Sequence, residues 1–367
     1  MNNQKLLGIE LCRGLATYAV ILVHSGDENW GIAIDPISIA FRLCFYFGVP
    51  FFLAAAFYFL TARPEVAYSP KFWRSRIERL LIPYAIWSMI FLIFRVLIFK
   101  LSHQVDRLHT LLSDPLSIIL FGGASYHLYF LPLLLAGTSL VLLMPLLSKI
   151  AISNFGLGLL LVVSIALYWF LDTSGNTFQL GPNIAFANSL MSWQIDLQSQ
   201  PLLRAIGVEL AWIFKCLPYF FGSLILRNIL HKHQVTTRIS TIQLLALFTS
   251  IDILGRWLLP GVLQEVLLAY ILLLVGISIS EQLKNTQINK IIANLGACSF
   301  GIYLIHPFIM SFVKSIISKI SPELTTSISI ASILALSIPC FAISWALVAY
   351  LLGSKIATKQ LFGTSNV

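Results

Sequence analysis

The chain has 367 residues, of which 58% are hydrophobic and 11% are charged, and its net charge is +9. A water-soluble domain has about a quarter of its residues charged, so this composition excludes a soluble enzyme, a disordered chain and a nucleic-acid-binding domain. The sequence therefore predicts an all-α, polytopic membrane helical bundle that has no nucleic-acid partner. The five cysteines lie in apolar segments without a CxxC pair, which favours core packing over disulfides or a metal site.

Ten segments have the apolar length of a helix that crosses a bilayer, about 20 residues each. They lie near 7–25, 37–61, 80–99, 127–147, 155–171, 207–229, 242–258, 262–280, 298–317 and 327–352. We expect residues 1–352 to form one transmembrane domain and 353–367 to form a short cytoplasmic tail. The longest polar connection, 172–206, is expected to form a small cap on the outer face, with a short surface helix.

The basic residues of the connecting loops indicate the orientation. With the N-terminus inside, fourteen Lys and Arg residues fall in inner connections and four in outer ones. Cytoplasmic loops carry such an excess of positive charge. The sequence therefore predicts a multi-pass protein of the plasma (inner) membrane with both termini in the cytoplasm.

The first segment carries two ionisable residues at membrane depth, Arg13 and His24. Eleven residues bring a helix back to nearly the same face and correspond to a rise of about 16 Å. Two interpretations stay open at this point. In the first, Arg13 extends to the inner interface and His24 caps the outer end of the helix. In the second, the two residues belong to one functional face of the helix.

Further ionisable groups fall near the expected outer ends of spans: Arg42, His127 and Glu209. Their convergence on one side favours a polar cavity open to the outside. On the inner side, Arg76 and Arg79 are three residues apart and share a helix face. Such a pair is suited to phosphate oxygens, although a topological anchor or a contact with anionic lipid explains it equally well.

Five short motifs, in the same order along the chain, resemble those of the acyltransferase 3 family of integral membrane enzymes. They are Arg13-x10-His24, Gly48-Val49-Pro50-Phe51-Phe52, Arg76-Ile77-Glu78-Arg79, Tyr126-His127-Leu128-Tyr129-Phe130-Leu131 and Tyr303-Leu304-Ile305-His306. The chain departs from the family pattern in two places. Ala54-Ala55-Ala56 stands where the family commonly has Ser-Gly before an aromatic residue, and Tyr129 replaces a Trp.

The resemblance implies transfer of an acyl group, usually acetyl, from cytoplasmic acyl-CoA to a hydroxyl of a cell-surface or lipid-linked carbohydrate. Acetyl-CoA is then the expected donor, and no metal is expected. The resemblance implies that His24 is the general base and that Glu209 orients its ring. It implies that CoA is bound by Arg13, Arg76 and Arg79. The residues implied to bind the acceptor are Arg42, Tyr126, His127, Tyr303 and His306. The competing class is a transporter or flippase for a sugar or lipid-linked intermediate, which has no need of a CoA site.

Overall fold

The computed structural model describes residues 6–26, 35–63, 67–176, 183–194, 200–233, 239–283, 286–325 and 328–363. These residues form sixteen α-helices, two 3-10 segments and no β-strand. The helices are α1 (Leu7–Val23), α2 (Pro36–Leu43), α3 (Gly48–Leu60), α4 (Pro70–Leu101), α5 (Val105–Leu112), α6 (Pro115–Leu120), α7 (Phe130–Thr138), α8 (Met144–Lys149), α9 (Asn154–Thr173), α10 (Ala187–Ser192), α11 (Pro201–His233), α12 (Thr241–Leu258), α13 (Gly261–Gln282), α14 (Thr286–Ile320), α15 (Ile330–Leu351) and α16 (Lys355–Phe362).

Nine helical segments in the described part of the chain are long and apolar enough to cross a membrane. They are Pro36–Leu60, Pro70–Leu101, Phe130–Lys149, Asn154–Thr173, Pro201–Leu230, Thr241–Leu258, Gly261–Gln282, Gln287–Ile320 and Ile330–Leu351. Each corresponds to one predicted span. The remaining predicted span is α1, whose 17 residues are at the short end of the length that a bilayer requires. The prediction of an all-α, multi-pass membrane protein is confirmed.

The boundaries differ from the apolar segments, most clearly at α4. This helix begins at Pro70, ten residues before the predicted span, because the Ser69 side chain caps it by accepting a hydrogen bond from the Phe72 amide. The polar first turns are stabilised by an ion pair between Arg74 and Glu78 at 2.8 Å. With 32 residues, α4 is about 48 Å long, so it is longer than the hydrocarbon core of a bilayer.

The described residues group into two compact units. The first unit falls within 1–56 and 230–357, and the second falls within 57–229 and 358–366. In the first unit, α1 packs against α13, α14 and α15, while α12 packs against α13. The approach of α1 to α13 is close, since a Cβ atom at Gly8 would collide with the Gly276 carbonyl oxygen. Small residues allow such contacts between membrane helices.

The second unit is organised around α4, which contacts α5, α6 and α7. The Tyr84 hydroxyl of α4 donates to the Ile118 carbonyl and accepts from the Gly122 amide, both at 2.9 Å. Gly122 has a φ of +78°, a conformation that glycine adopts without strain. This clamp fixes the turn that leads from α6 to α7, in which His127 lies.

A buried ion pair links α6 to α11 in the same unit. Asp114 caps α6 by accepting from the Ser117 amide, and its Oδ1 atom lies 2.6 Å from Arg204 Nη2. Burial by itself would raise the pKa of Asp114, but the hydrogen bonds from Arg204 and Ser117 and the charge of Arg204 outweigh it, so the pKa lies below its usual range.

The segment 172–206 contains the short helix α10 that was expected there. Its first turn is tied back to the end of α9 by the Ala187 amide, which donates to the Gly175 carbonyl at 2.8 Å, and by the Asn188 amide, which donates to Ser174. Residues 177–182 and 195–199 of this segment, including Gln179 and Asp196, lie outside the described residues.

The residues after 352 contain a docked helix, α16. Arg79 Nε donates to the Gly363 carbonyl at 3.1 Å, and Trp87 Nε1 donates to the Leu361 carbonyl at 2.9 Å. The end of α16 is therefore held against the first half of α4, in the second unit.

Candidate active site

His24 lies at the C-terminal end of α1, where its amide donates to the Val20 carbonyl at 3.1 Å. The helix ends there because the next turn changes direction, and Ser25 stabilises it by donating from Oγ to the Ile21 carbonyl at 2.8 Å. The His24 ring is partly buried. The sequence placed this imidazole at a helix end, and the structure agrees.

His306 of α14 stacks on His24. The two ring centroids are 5.8 Å apart and the planes are inclined by 26°. His306 is fully buried, and Tyr303 lies beside it with a ring separation of 5.9 Å. The ring of Phe52, in α3, packs against that of Tyr303, and the two ring centroids are 6.3 Å apart. The structure thus brings together residues that the sequence nominated on two separate motifs: His24 on the first, and Tyr303 and His306 on the last.

Pro307 determines how the His306 ring is held. In an α-helix the amide of residue 307 would donate to the carbonyl of residue 303, but proline has no N–H group. The Tyr303 carbonyl is therefore available to His306, whose Nδ1 atom lies 2.6 Å from it. A carbonyl only accepts, so Nδ1 carries the hydrogen, and in the neutral ring Nε2 holds the lone pair.

Arg42 lies next to the turn that follows His24. A Cβ atom at Gly26 would collide with the Arg42 guanidinium group, so the two residues lie in close contact. Arg42 is in the last turn of α2 and is 7% exposed. A buried cation near an imidazole disfavours a second positive charge. The first unit therefore holds a cluster of His24, Arg42, Tyr303 and His306, which we call the histidine cluster.

Arg13 is not part of the histidine cluster, since it lies on α1 about 16 Å along the axis from His24. Its Nη1 atom forms an ion pair with Glu10 Oε2 at 3.2 Å. Glu10 in turn packs against α14, because a Cβ atom at Gly296 would collide with its carboxylate. The charge of Arg13 is thus compensated within its own helix, and its role toward CoA stays a prediction.

Arg76 and Arg79 lie near the start of α4, close enough for their charges to repel each other. The Arg76 guanidinium lies over the Phe72 ring at 5.7 Å from its centroid, and Arg79 is exposed. Because Arg74 is paired with Glu78, Arg76 and Arg79 remain as a cationic pair without a carboxylate partner in the described residues.

The other nominated residues belong to the second unit. His127 is 1% exposed, its Nδ1 atom lies 3.1 Å from the Ser125 hydroxyl, and its ring meets that of Phe91 at 5.1 Å. Tyr126 stands edge-on to His127 at 5.6 Å. Glu209 lies on an exposed face of α11.

Two contributors to these sites were missed from the sequence, Glu10 and Pro307. Both could have been found from helical spacing, because Glu10 precedes Arg13 by three residues and Pro307 follows Tyr303 by four. Residues at these spacings are neighbours on one helix.

Comparison with known proteins identifies the family of the chain. A family model described as an acyltransferase domain, acyltransferase 3, matches residues 6–349, which is nearly the whole chain and includes all five motifs. No curated protein and no solved structure gave a significant match. The resemblance predicted from the motifs is confirmed: the chain belongs to the acyltransferase 3 family, and the protein is a membrane acyltransferase.

Proposed function

We propose that the protein moves an acetyl group from cytoplasmic acetyl-CoA to a hydroxyl of a cell-surface or lipid-linked carbohydrate, in the plasma (inner) membrane with both termini in the cytoplasm. The single observation that carries the proposal is the stacked pair of His24 and His306 beside Arg42 in a chain of acyltransferase type. Acyl transfer to a hydroxyl needs a base and a group that stabilises negative charge, and the histidine cluster offers both.

In the proposed reaction, His24 removes the proton of the acceptor hydroxyl as its oxygen attacks the thioester carbonyl. The new C–O bond forms, the C–S bond breaks, and the proton passes from His24 to the departing CoA sulfur. An imidazole has an ordinary pKa of about 6.5, which suits a base that works near neutral pH. His24 is regenerated in its neutral form after each transfer.

His306 acts in this proposal as a positioning residue for His24. Its own Nδ1–H is committed to the Tyr303 carbonyl, and its full burial favours the neutral ring. A neutral imidazole stacked on His24 fixes the plane of the base without competing for the proton. The geometry therefore supports one base, His24, rather than two.

Arg42 supplies the positive charge. A tetrahedral intermediate carries an oxyanion, and a cation fixed beside the site before reaction stabilises it strongly. The Arg42 guanidinium lies against Gly26, two residues after the base. This places a buried cation within one turn of His24.

The donor and acceptor contacts complete the proposal. Arg76 and Arg79 bind the phosphates of CoA by charge-assisted hydrogen bonds, with Arg13 as a further guide. Tyr126 offers a partly exposed aromatic face to the acceptor sugar, and the buried His127 packs against it. The orienting role of Glu209 toward His24 stays a prediction.

The test uses the purified full-length protein in lipid nanodiscs. The proposal expects saturable binding of acetyl-CoA and slow release of free CoA in the absence of acceptor, accelerated by soluble glycoside acceptors. A protein that neither binds acetyl-CoA nor releases CoA from it would overturn the proposal and leave a transporter or flippase as the alternative.

A further inference from the structure

Arg95 is a partly buried arginine of α4, and the proposed mechanism gives it no role. It follows Arg79 by sixteen residues, so the two are separated by about 24 Å along the helix axis. The residues one turn before and after it, Phe91 and Phe99, are buried, at 2% and 8% exposure. Arg95 therefore lies on the face of α4 that packs against the protein.

The residues on the opposite face of α4 are exposed, which agrees with the placement of Arg95 on the packed face. Ile93 and Leu97 are 54% and 53% exposed, as expected for side chains that meet lipid tails. At 100° per residue, Arg95 is rotated by about 160° from each of them. An arginine whose role is only to anchor the helix at the membrane surface does not need to lie on the face that packs against the protein.

The charge of Arg95 has no carboxylate partner among the residues that the structure describes. Its Nε atom is buried without a hydrogen-bond partner, and the Tyr126 phenol, which is neutral near pH 7, lies close to the guanidinium group. Three arginines of other helices do have such a partner in the described residues: Arg13 pairs with Glu10, Arg204 with Asp114 and Arg256 with Asp252. A buried cation is costly unless an anion accompanies it.

The surroundings of Arg95 suit a sugar. The Tyr126 ring is partly exposed, and it packs edge-on against the buried His127 ring at 5.6 Å. Aromatic faces pack against the apolar side of a sugar ring, while a guanidinium group binds a carboxylate or phosphate through paired hydrogen bonds.

We propose that Arg95, with Tyr126, is the binding site for an anionic group, a carboxylate or phosphate, on the acceptor. This inference rests on the proposed function only in naming the acceptor as the source of the anion. It narrows the acceptor class from carbohydrates in general to acidic or phosphorylated carbohydrates.

The experiment measures thermal unfolding of the full-length protein in phosphatidylcholine nanodiscs at constant ionic strength. The probes are methyl glucuronide, inorganic phosphate and, as the neutral match, methyl glucoside. We expect the two anions to raise Tm saturably and the glucoside to have no effect. Arg95→Met should raise Tm in the absence of anion, because a partly buried charge without a carboxylate partner is removed, and should abolish the response to anions.

Three further variants make the result specific. Arg107→Gln, on an exposed position of α5, should keep the anion response. The double variant Arg76→Gln, Arg79→Gln should keep the response to glucuronide, which separates this site from the donor site. Arg95→Lys retains the charge but not the paired geometry, and should require at least about tenfold more glucuronide for the same shift.

An equal response to glucuronide in Arg95→Met, or no response in the wild-type protein, would overturn the proposal. A third result would also overturn the proposal. If phosphatidylglycerol stabilises the protein and added glucuronide then has no effect, the site binds a lipid headgroup. The readout needs neither acetyl-CoA nor His24. Failure of the proposed acetyl transfer therefore leaves the anion response intact, and failure here leaves the transfer intact.

Discussion

The His24 ring stacks on the His306 ring with their centroids 5.8 Å apart, although the two residues are 282 positions apart in the chain. Two imidazoles at this distance do not both carry a proton readily, since each cation disfavours the other. His306 is the more deeply buried of the two, and in the proposed mechanism His24 is the base.

Replacement of His306 by Asn should lower kcat while leaving the KM for acetyl-CoA nearly unchanged, because His306 positions the base and does not touch the donor. The loss should be smaller than the roughly 10²–10⁴-fold typical of a direct acid–base group. The acid limb of the pH profile should also move, which a purely structural role would not cause. An unchanged profile with normal kcat would remove His306 from the mechanism.

Pro307→Ala tests how the His306 ring is held. The alanine restores a backbone N–H that donates to the Tyr303 carbonyl, in competition with His306 Nδ1. Since alanine favours helix, the fold should be retained or stabilised while kcat falls several-fold. The control is Pro339→Ala in α15, where a similar helical proline lies outside the histidine cluster. Equal losses in the two variants would contradict the account of the tautomer.

Arg76→Gln combined with Arg79→Gln should raise the KM for acetyl-CoA more than the KM for the acceptor. The effect of salt on the wild-type enzyme should be reduced in the variant, because charge-assisted bonds to phosphate are screened. Arg74→Gln is the matched control, since Arg74 is exposed and paired with Glu78. If the double variant has normal donor kinetics once correctly inserted, the two arginines serve only as anchors.

Asp114→Asn should destabilise the protein by about 3 kcal/mol, because it leaves Arg204 buried and unpaired. The pKa of Asp114 is lowered by its partners. The ion pair therefore contributes its full stability above the ordinary carboxyl pKa of about 3.9 and loses it as the pH falls through the lower folded value. Melting curves between about pH 6 and pH 2 should show a larger loss in the wild-type protein than in the variant, with the difference arising below about pH 3.9; parallel curves would contradict this.

The sequence identified the helices well, because a membrane span needs a long apolar segment and few other structures provide one. The helix ends were less accurate, since helices continue past the apolar core. Arg76 and Arg79 were expected before a span and instead lie inside α4, which Ser69 caps. Asp252 and Arg256, four residues apart in α12, form an intrahelical ion pair at 3.5 Å.

The candidate site was predictable residue by residue but not as a cluster. His24 and Arg42 were noticeable because charged and titratable side chains are costly at membrane depth. Their proximity to His306 depends on how α1, α2 and α14 pack, which periodicity does not reveal. The same holds for Arg95, because only tertiary packing decides whether a buried arginine meets a carboxylate.

The most direct test follows radiolabelled acetyl groups from acetyl-CoA into the carbohydrate fraction of inside-out membrane vesicles that contain the protein. We expect His24→Ala to lower this base-labile label by about 10²–10⁴-fold while the amount of inserted protein stays unchanged. The control is His109→Ala, since His109 is exposed on α5, and it should transfer normally. Near-normal labelling by His24→Ala would contradict the assignment of His24 as the base.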